Sequence, residues 1–196
     1  MTVSPQIPIA ILAGGKSVRM GRDKAFVEVE GVPMIERVIA AARQCSANVI
    51  IIANEPEKYQ KSGLPVHTDK VKGMGPLSGL VTAFEATGAG AVMMIACDMP
   101  YISPAMIRHI LSRYLKGCGA VIPYAFGREQ GLCAIYERRL LEKFTERIGR
   151  GDIQFNEFRM NIEKVNISET ELKAVEGDLR SFININDEEE LRKGGR

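Results

Sequence analysis

Short, continuous apolar runs alternate with segments of helical periodicity along most of this chain, and that alternation is what most restricts its fold. Residues 7–12, 48–53, 65–68, 91–96, 120–123 and 132–136 read as strands rich in Ile, Val and Ala. Between them the apolar positions switch to a helical period. Met34, Val38, Ile39 and Ala42 fit a helix over 33–42, with Pro33 suited to its first turn. A short polar helix is expected at 56–62 and a longer one at 76–87, closed by Gly88. Ser103-Pro104 marks a further start, an N-cap followed by proline, for a helix running to about residue 115. Helices over 138–147 and 152–160, and strands at 162–165 and 182–185, complete the pattern. Asp187 and Glu190 are spaced as a capping box for a last helix. Strands apolar on both faces need cover on both faces, which predicts an α/β fold of three layers: a mostly parallel, twisted sheet with helices on each side. At 196 residues, with no linker or repeat, the chain is expected to form a single domain, 1–196.

The segment after the first strand bears on chemistry. Leu12 to Ala25 places three glycines and four basic side chains, Lys16, Arg19, Arg22 and Lys24, in one loop. Glycines let backbone N–H groups approach phosphate oxygens, and Arg and Lys neutralise their charge. Gly15-Lys16-Ser17 is not the end of a Walker A loop, because the glycine required five positions before Gly15 is Ala10, inside the strand. The Rossmann spacing also fails at Gly14-Gly15. A solvated basic loop is the plain alternative to a triphosphate cradle.

Ligands of open α/β sheets bind outside the carboxyl ends of the strands. Leu12-Ala13, Asn54 and Asp98 all follow strands and are expected at that edge. A carboxylate at Asp98 can hold Mg²⁺ against phosphate oxygens, or simply serve a turn before Pro100. The glycine-rich turn at Gly73, Gly75 and Gly79, preceded by Asp69, offers free N–H donors where it enters a helix. Alternation at 183–186 puts the amides of Asn184 and Asn186 on one strand face, opposite Ile183 and Ile185.

The loop reads L-A-G-G-x-S-x-R-M-G-x-D-K and resembles the signature of nucleotidyltransferases that activate sugars and cofactors. In detail it is similar to the molybdenum cofactor guanylyltransferases. Cys97-Asp98-Met99-Pro100 resembles that family's C-D-x-P, the segment from Asp69 to Gly79 its D-x(n)-G-P-L-x-G, and Phe182 to Asn186 its F-x-N-x-N ending. The cytidylyl branch usually has L-A-A-G, and Gly14 after Ala13 favours the guanylyl branch. The resemblance implies transfer of GMP from GTP to molybdopterin, with Mg²⁺ as cofactor. It implies Lys24, Arg19 and Asp98 as catalytic residues, with Asp98 on the metal. Leu12, Ala13, Gly14, Gly15, Lys24, Asn54, Asp69 and Asp98 would bind nucleotide. Gly21, Gly75, Gly79, Asn184 and Asn186 would face the acceptor, and the two asparagines could also complete the metal site. Lys16 and Arg22 fall at positions the motif leaves open. Gln130-Gly131-Leu132 departs from the family's usual Pro-Leu in this region, and Arg150 matches only weakly as a phosphate contact. The alternatives are a cytidylyl- or sugar-phosphate nucleotidyltransferase of the same fold, or a GTP-binding adaptor without turnover.

The formal net charge of +2 points to no nucleic-acid partner. The apolar run at 89–97 is too short to span a membrane, and residues 1–5 lack a secretory pattern. Cys45, Cys97, Cys118 and Cys133 form no C-x-x-C pair, so reduced thiols in a cytoplasmic protein are expected. His67 and His109 lack metal-ligand spacing. Besides GTP and molybdopterin, other enzymes of the cofactor's pathway are the partners such a role implies.

Overall fold

The structure is a computed structural model that describes residues 7–13, 23–68 and 75–185. Its strands are β1 (Ile9–Leu12), β2 (Glu28–Val29), β3 (Val32–Pro33), β4 (Val49–Ile52), β5 (Val66–His67), β6 (Ala91–Ala96), β7 (Ala120–Ala125), β8 (Arg128–Glu129), β9 (Cys133–Glu137) and β10 (Lys164–Ile167). The helices are α1 (Met34–Arg43), α2 (Pro76–Thr87), α3 (Pro104–Ser112), α4 (Arg139–Glu142), α5 (Thr145–Arg150), α6 (Phe155–Met160) and α7 (Glu169–Val175). Lys24–Phe26, Pro56–Ser62 and Arg180–Phe182 form 3-10 turns.

The main sheet runs β10-β7-β9-β6-β1-β4-β5, with β8 paired to β7. β6, β1, β4 and β5 are parallel, and so are β10 and β7. Strand alternation sorts the core into two layers. Ile9, Ile11, Val49, Ile51, Met93 and Ile95 face one side, against Ile35, Val38 and Ile39 of α1 and Ile107 and Ile110 of α3. Ala10, Ile50, Ile52, Val92 and Met94 face the other, against Leu77, Leu80 and Phe84 of α2 and Phe155 and Phe158 of α6. Each fully buried Ile, Leu or Phe contributes about 1.5–3 kcal/mol, so burial on both faces holds the sheet between the two helical layers.

The three-layer expectation holds, with four local differences. β9 is antiparallel to both neighbours, β6 and β7. The segment from β7 to β9 is too short for a parallel crossover, so the chain folds back through β8. The helix expected over 138–147 is two pieces. Phe144 leaves helical geometry (φ −121°, ψ 7°) and sets its ring edge-on to Phe158 at 5.2 Å. The helix expected from 152 begins only at Phe155. No strand forms at 182–185: the chain makes the 3-10 turn Arg180–Phe182 and then runs along the turn at Asp98, outside the sheet. The hairpin β2–β3, β8 and α7 were not anticipated. The final helix expected from Asp187 lies outside the described residues.

Candidate active site

The register brings the strand ends level. Leu12 pairs with Ile52 on one side and Ala96 on the other, and Ile52 pairs with His67. The ladder continues one residue further through Ala13 N to Ile52 O (2.8 Å), Ala53 N to His67 O (3.0 Å) and Cys97 N to Leu12 O (3.0 Å). Leu12-Ala13, Asn54 and Asp98 therefore emerge along one sheet edge, as expected for a ligand site. Asn54 is exposed there, and Ala13 is buried.

Lys24 enters this edge from the 3-10 turn Lys24–Phe26. Asp23 caps that turn, accepting from Ala25 N at 3.2 Å, and its second oxygen accepts from the Tyr59 hydroxyl at 3.3 Å. The ring of Tyr59 stacks on Phe26 at 5.2 Å, which fixes the turn over the sheet. The Lys24 ammonium donates to Asp98 Oδ2 at 2.7 Å, joining residues 74 positions apart. The two side chains are only 15% and 20% exposed, so water screens the pair weakly and each charge holds the other in place.

Asp98 sits in the turn after β6. Its carbonyl accepts from Ile185 N at 2.9 Å, which draws the C-terminal segment across the site. Ser181 anchors the same segment, its hydroxyl accepting from Ser103 N at 3.0 Å, where Ser103 caps α3. Asn184 reaches the site from this segment rather than from a strand. Ile185 is buried with Val27, Val29, Met34 and Tyr101, and Ile183 packs against that cluster. Arg37 braces the turn from below, donating to Pro100 O at 3.0 Å and Val29 O at 3.2 Å.

Two buried oxygens, Asp98 Oδ1 and Asn184 Oδ1, have no hydrogen-bond partner among the described residues. Buried acceptors of this kind are rare unless something fills their need. One carboxylate and one amide oxygen form a hard, oxygen-only donor set, which fits Mg²⁺ with phosphate and water completing its shell. Among the described residues no group of three or more His, Cys, Asp or Glu could hold a metal ion.

A cavity of about 490 Å³ adjoins these residues. Gly75, Met99 and Asn184 line it, and so do Gln130, Gly131 and Arg159. Gly75 takes a left-handed φ of +55° immediately before Pro76 opens α2, a conformation that suits glycine. Gly79 is buried within α2, and a Cβ there would lie 2.6 Å from Leu12 Cδ2, so its observed contact is with the end of β1. Gly14, Gly15, Lys16, Arg19, Gly21, Arg22, Asp69 and Asn186 lie outside the described residues. Arg159 and Glu129 were not anticipated from sequence, because no motif links positions so far apart. Arg150 pairs with Glu146, and His109 lies 3.3 Å from Glu171, away from the site's named residues. All four cysteines are free thiols.

The Lys24–Asp98 pair and the adjoining cavity stand at the strand ends, where open α/β sheets bind their ligands. The sequence matches the MobA-like NTP transferase domain over residues 9–159, and the chain belongs to that family. A molybdenum cofactor guanylyltransferase of Desulfosudis oleivorans is 34% identical over 184 residues, covering 93% of this chain and 91% of that one. A probable molybdenum cofactor guanylyltransferase of Pelotomaculum thermopropionicum is 32% identical over 183 residues, covering 93% and 89%. Among solved structures, molybdopterin-guanine dinucleotide biosynthesis protein A from Archaeoglobus fulgidus shares the fold with a TM-score of 0.82 at 23% identity, covering 96% of each chain.

Proposed function

We propose that this protein transfers GMP from GTP to the phosphate of molybdopterin, releasing pyrophosphate. The Lys24–Asp98 pair carries the reading, because it stands at the sheet edge where β1 runs into the glycine loop and where the cavity adjoins. The acceptor's phosphate oxygen attacks the α-phosphorus of GTP in line, and the bond from that phosphorus to the bridging oxygen breaks as pyrophosphate leaves. Charge builds on the α-phosphoryl oxygens and the leaving group, and the Lys24 ammonium lies where it meets that charge. Arg19, by family resemblance, adds a second cation. By family resemblance, Leu12, Ala13, Gly14 and Gly15 would cradle the nucleotide, and Asn54 and Asp69 would contact guanine or ribose. Gly75 and Asn184 line the cavity on the acceptor side, which the family resemblance extends to Gly21 and Asn186, while Gly79 packs on Leu12.

Asp98 and Asn184 would hold Mg²⁺ through the two oxygens that lack partners among the described residues. When bound, the ion neutralises phosphate charge and fixes the triphosphate for in-line attack. Lys24 holds the other carboxylate oxygen, Oδ2, at 2.7 Å, so it orients Asp98 while leaving Oδ1 open. We place the protein in the cytoplasm, where GTP and reduced thiols are found. A reactive acceptor also favours hand-over from neighbouring enzymes of the same route. None of the described helices is long and apolar enough to cross a membrane.

Pyrophosphate release measured with Mg²⁺ and each nucleoside triphosphate, with and without molybdopterin, tests the proposal. Release with GTP only in the presence of molybdopterin is expected. Preference for CTP would move the protein to the cytidylyl branch. GTP binding without release would favour the adaptor reading.

A further inference from the structure

The cavity beside the transfer site has a charged wall that the chemistry at Asp98 does not use. Arg159 of α6 reaches across to Glu129 of β8, with its guanidinium Nη1 on Oε2, and donates from Nη2 to Asn156 Oδ1 at 3.4 Å. Lys164 reaches the other oxygen of the same carboxylate at 2.9 Å, and Asn166 donates to it at 3.2 Å. The three charged side chains are 17%, 14% and 20% exposed for Arg159, Glu129 and Lys164. One carboxylate thus serves two cations, and Arg128 adds a third on the same strand as Glu129. Glu129 is the only acidic residue lining the cavity among the described residues, so the wall carries excess positive charge. Burial tends to raise the Glu129 carboxyl's pKa, but Lys164, Arg159 and Asn166 outweigh it and hold it below the usual range, so Glu129 stays ionised.

The position of Arg159 depends on a glycine. A Cβ at Gly131 would lie 2.6 Å from Arg159 Cδ and 3.0 Å from its Nε. The stem of Arg159 fills the space that any other residue at 131 would occupy. This gives a physical meaning to Gly131 where the family usually has Pro before Leu: the change makes room for a cation in the cavity wall.

The geometry points to Arg159, seated over Gly131 and aimed by Glu129, as a specificity-determining residue that binds a second anionic group of the acceptor, distinct from the phosphate that reacts. In molybdopterin that group is the dithiolate. The inference rests on the proposed acceptor. Its logic is charge: Lys164, behind the wall, shares Glu129 with Arg159, so the guanidinium is steered by that carboxylate without being fully neutralised and can take a second anion.

Direct binding under anaerobic conditions tests it, read by pterin fluorescence with no nucleotide present. The two probes are metal-free molybdopterin and the same compound with both sulfurs alkylated, which removes the anionic charge there. Wild type is expected to prefer the free dithiolate. R159A is expected to lose about tenfold or more in affinity for it, with little further loss for the alkylated form. R159K should recover part of the affinity. G131A, whose Cβ would meet Arg159 Cδ at 2.6 Å and Phe155 Cε1 at 3.2 Å, should weaken binding of the free dithiolate in the same direction as R159A. Equal losses by R159A for both probes, or no loss for either, would overturn the inference while leaving the guanylyl transfer intact. Wild-type protein that neither binds molybdopterin nor releases pyrophosphate with it would overturn the acceptor reading and this inference with it. Thermal melts of each variant separate lost binding from lost fold.

Discussion

Lys24 and Asp98 meet at 2.7 Å because a capped turn and a strand end arrive at the same sheet edge. Replacing Asp98 with Asn keeps its shape and removes its charge, so D98N is expected to lower the rate of pyrophosphate release by roughly 10²–10³-fold with little change in far-UV circular dichroism. K24A should do the same. Wild-type turnover in either variant would remove these residues from the mechanism. Asn184 is placed to supply an oxygen without adding charge. N184A is therefore expected to raise the Mg²⁺ concentration for half-maximal rate by roughly tenfold, read from a magnesium titration at saturating GTP. An unchanged titration would leave the Asn184 oxygen without a metal role. What the sequence made legible at this scale is where two polar side chains sit. Strand ends pointed to Asp98, and the alternation of Ile183 and Ile185 put Asn184 on the open side even though no strand forms there. Arg159 was not legible, since only the folded chain brings α6 over the turn at Gly131.

At the scale of elements, the fit of α2 on β1 sets the position of Leu12 at the strand's end. Gly79 lets the helix approach until a Cβ would sit 2.6 Å from Leu12 Cδ2. Alanine there gains about 1 kcal/mol of helix propensity over glycine, while overpacking a tight contact costs about 1–3 kcal/mol. The two nearly cancel in stability, because the Leu12 side chain can move. G79A is thus expected to melt within a few degrees of wild type and yet bind GTP more weakly, since the displaced Leu12 is the last residue of the strand before the proposed cradle. Calorimetry of GTP binding beside a thermal melt checks this. Normal affinity would show that the cradle does not depend on that contact. Some missed elements had signals. Ser168 caps α7 and stands three residues before Glu171, a capping spacing. Glu30 and Gly31 carry positive φ of 54° and 78°, the pair a tight hairpin between β2 and β3 requires. β9 had none that would give its direction, because a strand buried on both faces shows the same pattern whether parallel or antiparallel.

For the molecule as a whole, the half of the sheet that breaks the parallel pattern needs its own fastening, and Glu137 at the end of β9 provides it. The carboxylate is buried, yet it accepts from the Gly117 and Gly119 amides at 2.5 and 3.2 Å, the Tyr114 hydroxyl at 2.9 Å and Arg139 Nε at 2.7 Å. It thereby ties β9 to the loop after α3 and to the start of α4. Burial alone would raise its pKa, but the Gly117 amide, Arg139, Tyr114 and Gly119 outweigh burial and hold it below the usual carboxylate range. Tyr114 is pushed the other way, up to about 12, by burial and by its bond to Glu137. A carboxyl with a depressed folded pKa gives its full stabilisation above the unfolded pKa of about 4.3. That stabilisation is lost as pH falls through the folded value, where the group takes up its proton. E137Q keeps the volume but presents an amide where four donors converge, so it is expected to cost about 2–4 kcal/mol at pH 7. Thermal melts of both proteins from pH 7 down to pH 3 check the sign. The variant should melt several degrees lower at neutral pH, and the gap should close as the wild-type carboxylate protonates. A gap that stays constant across this range would show that packing at β9, and not the charge of Glu137, holds the antiparallel strand in the sheet.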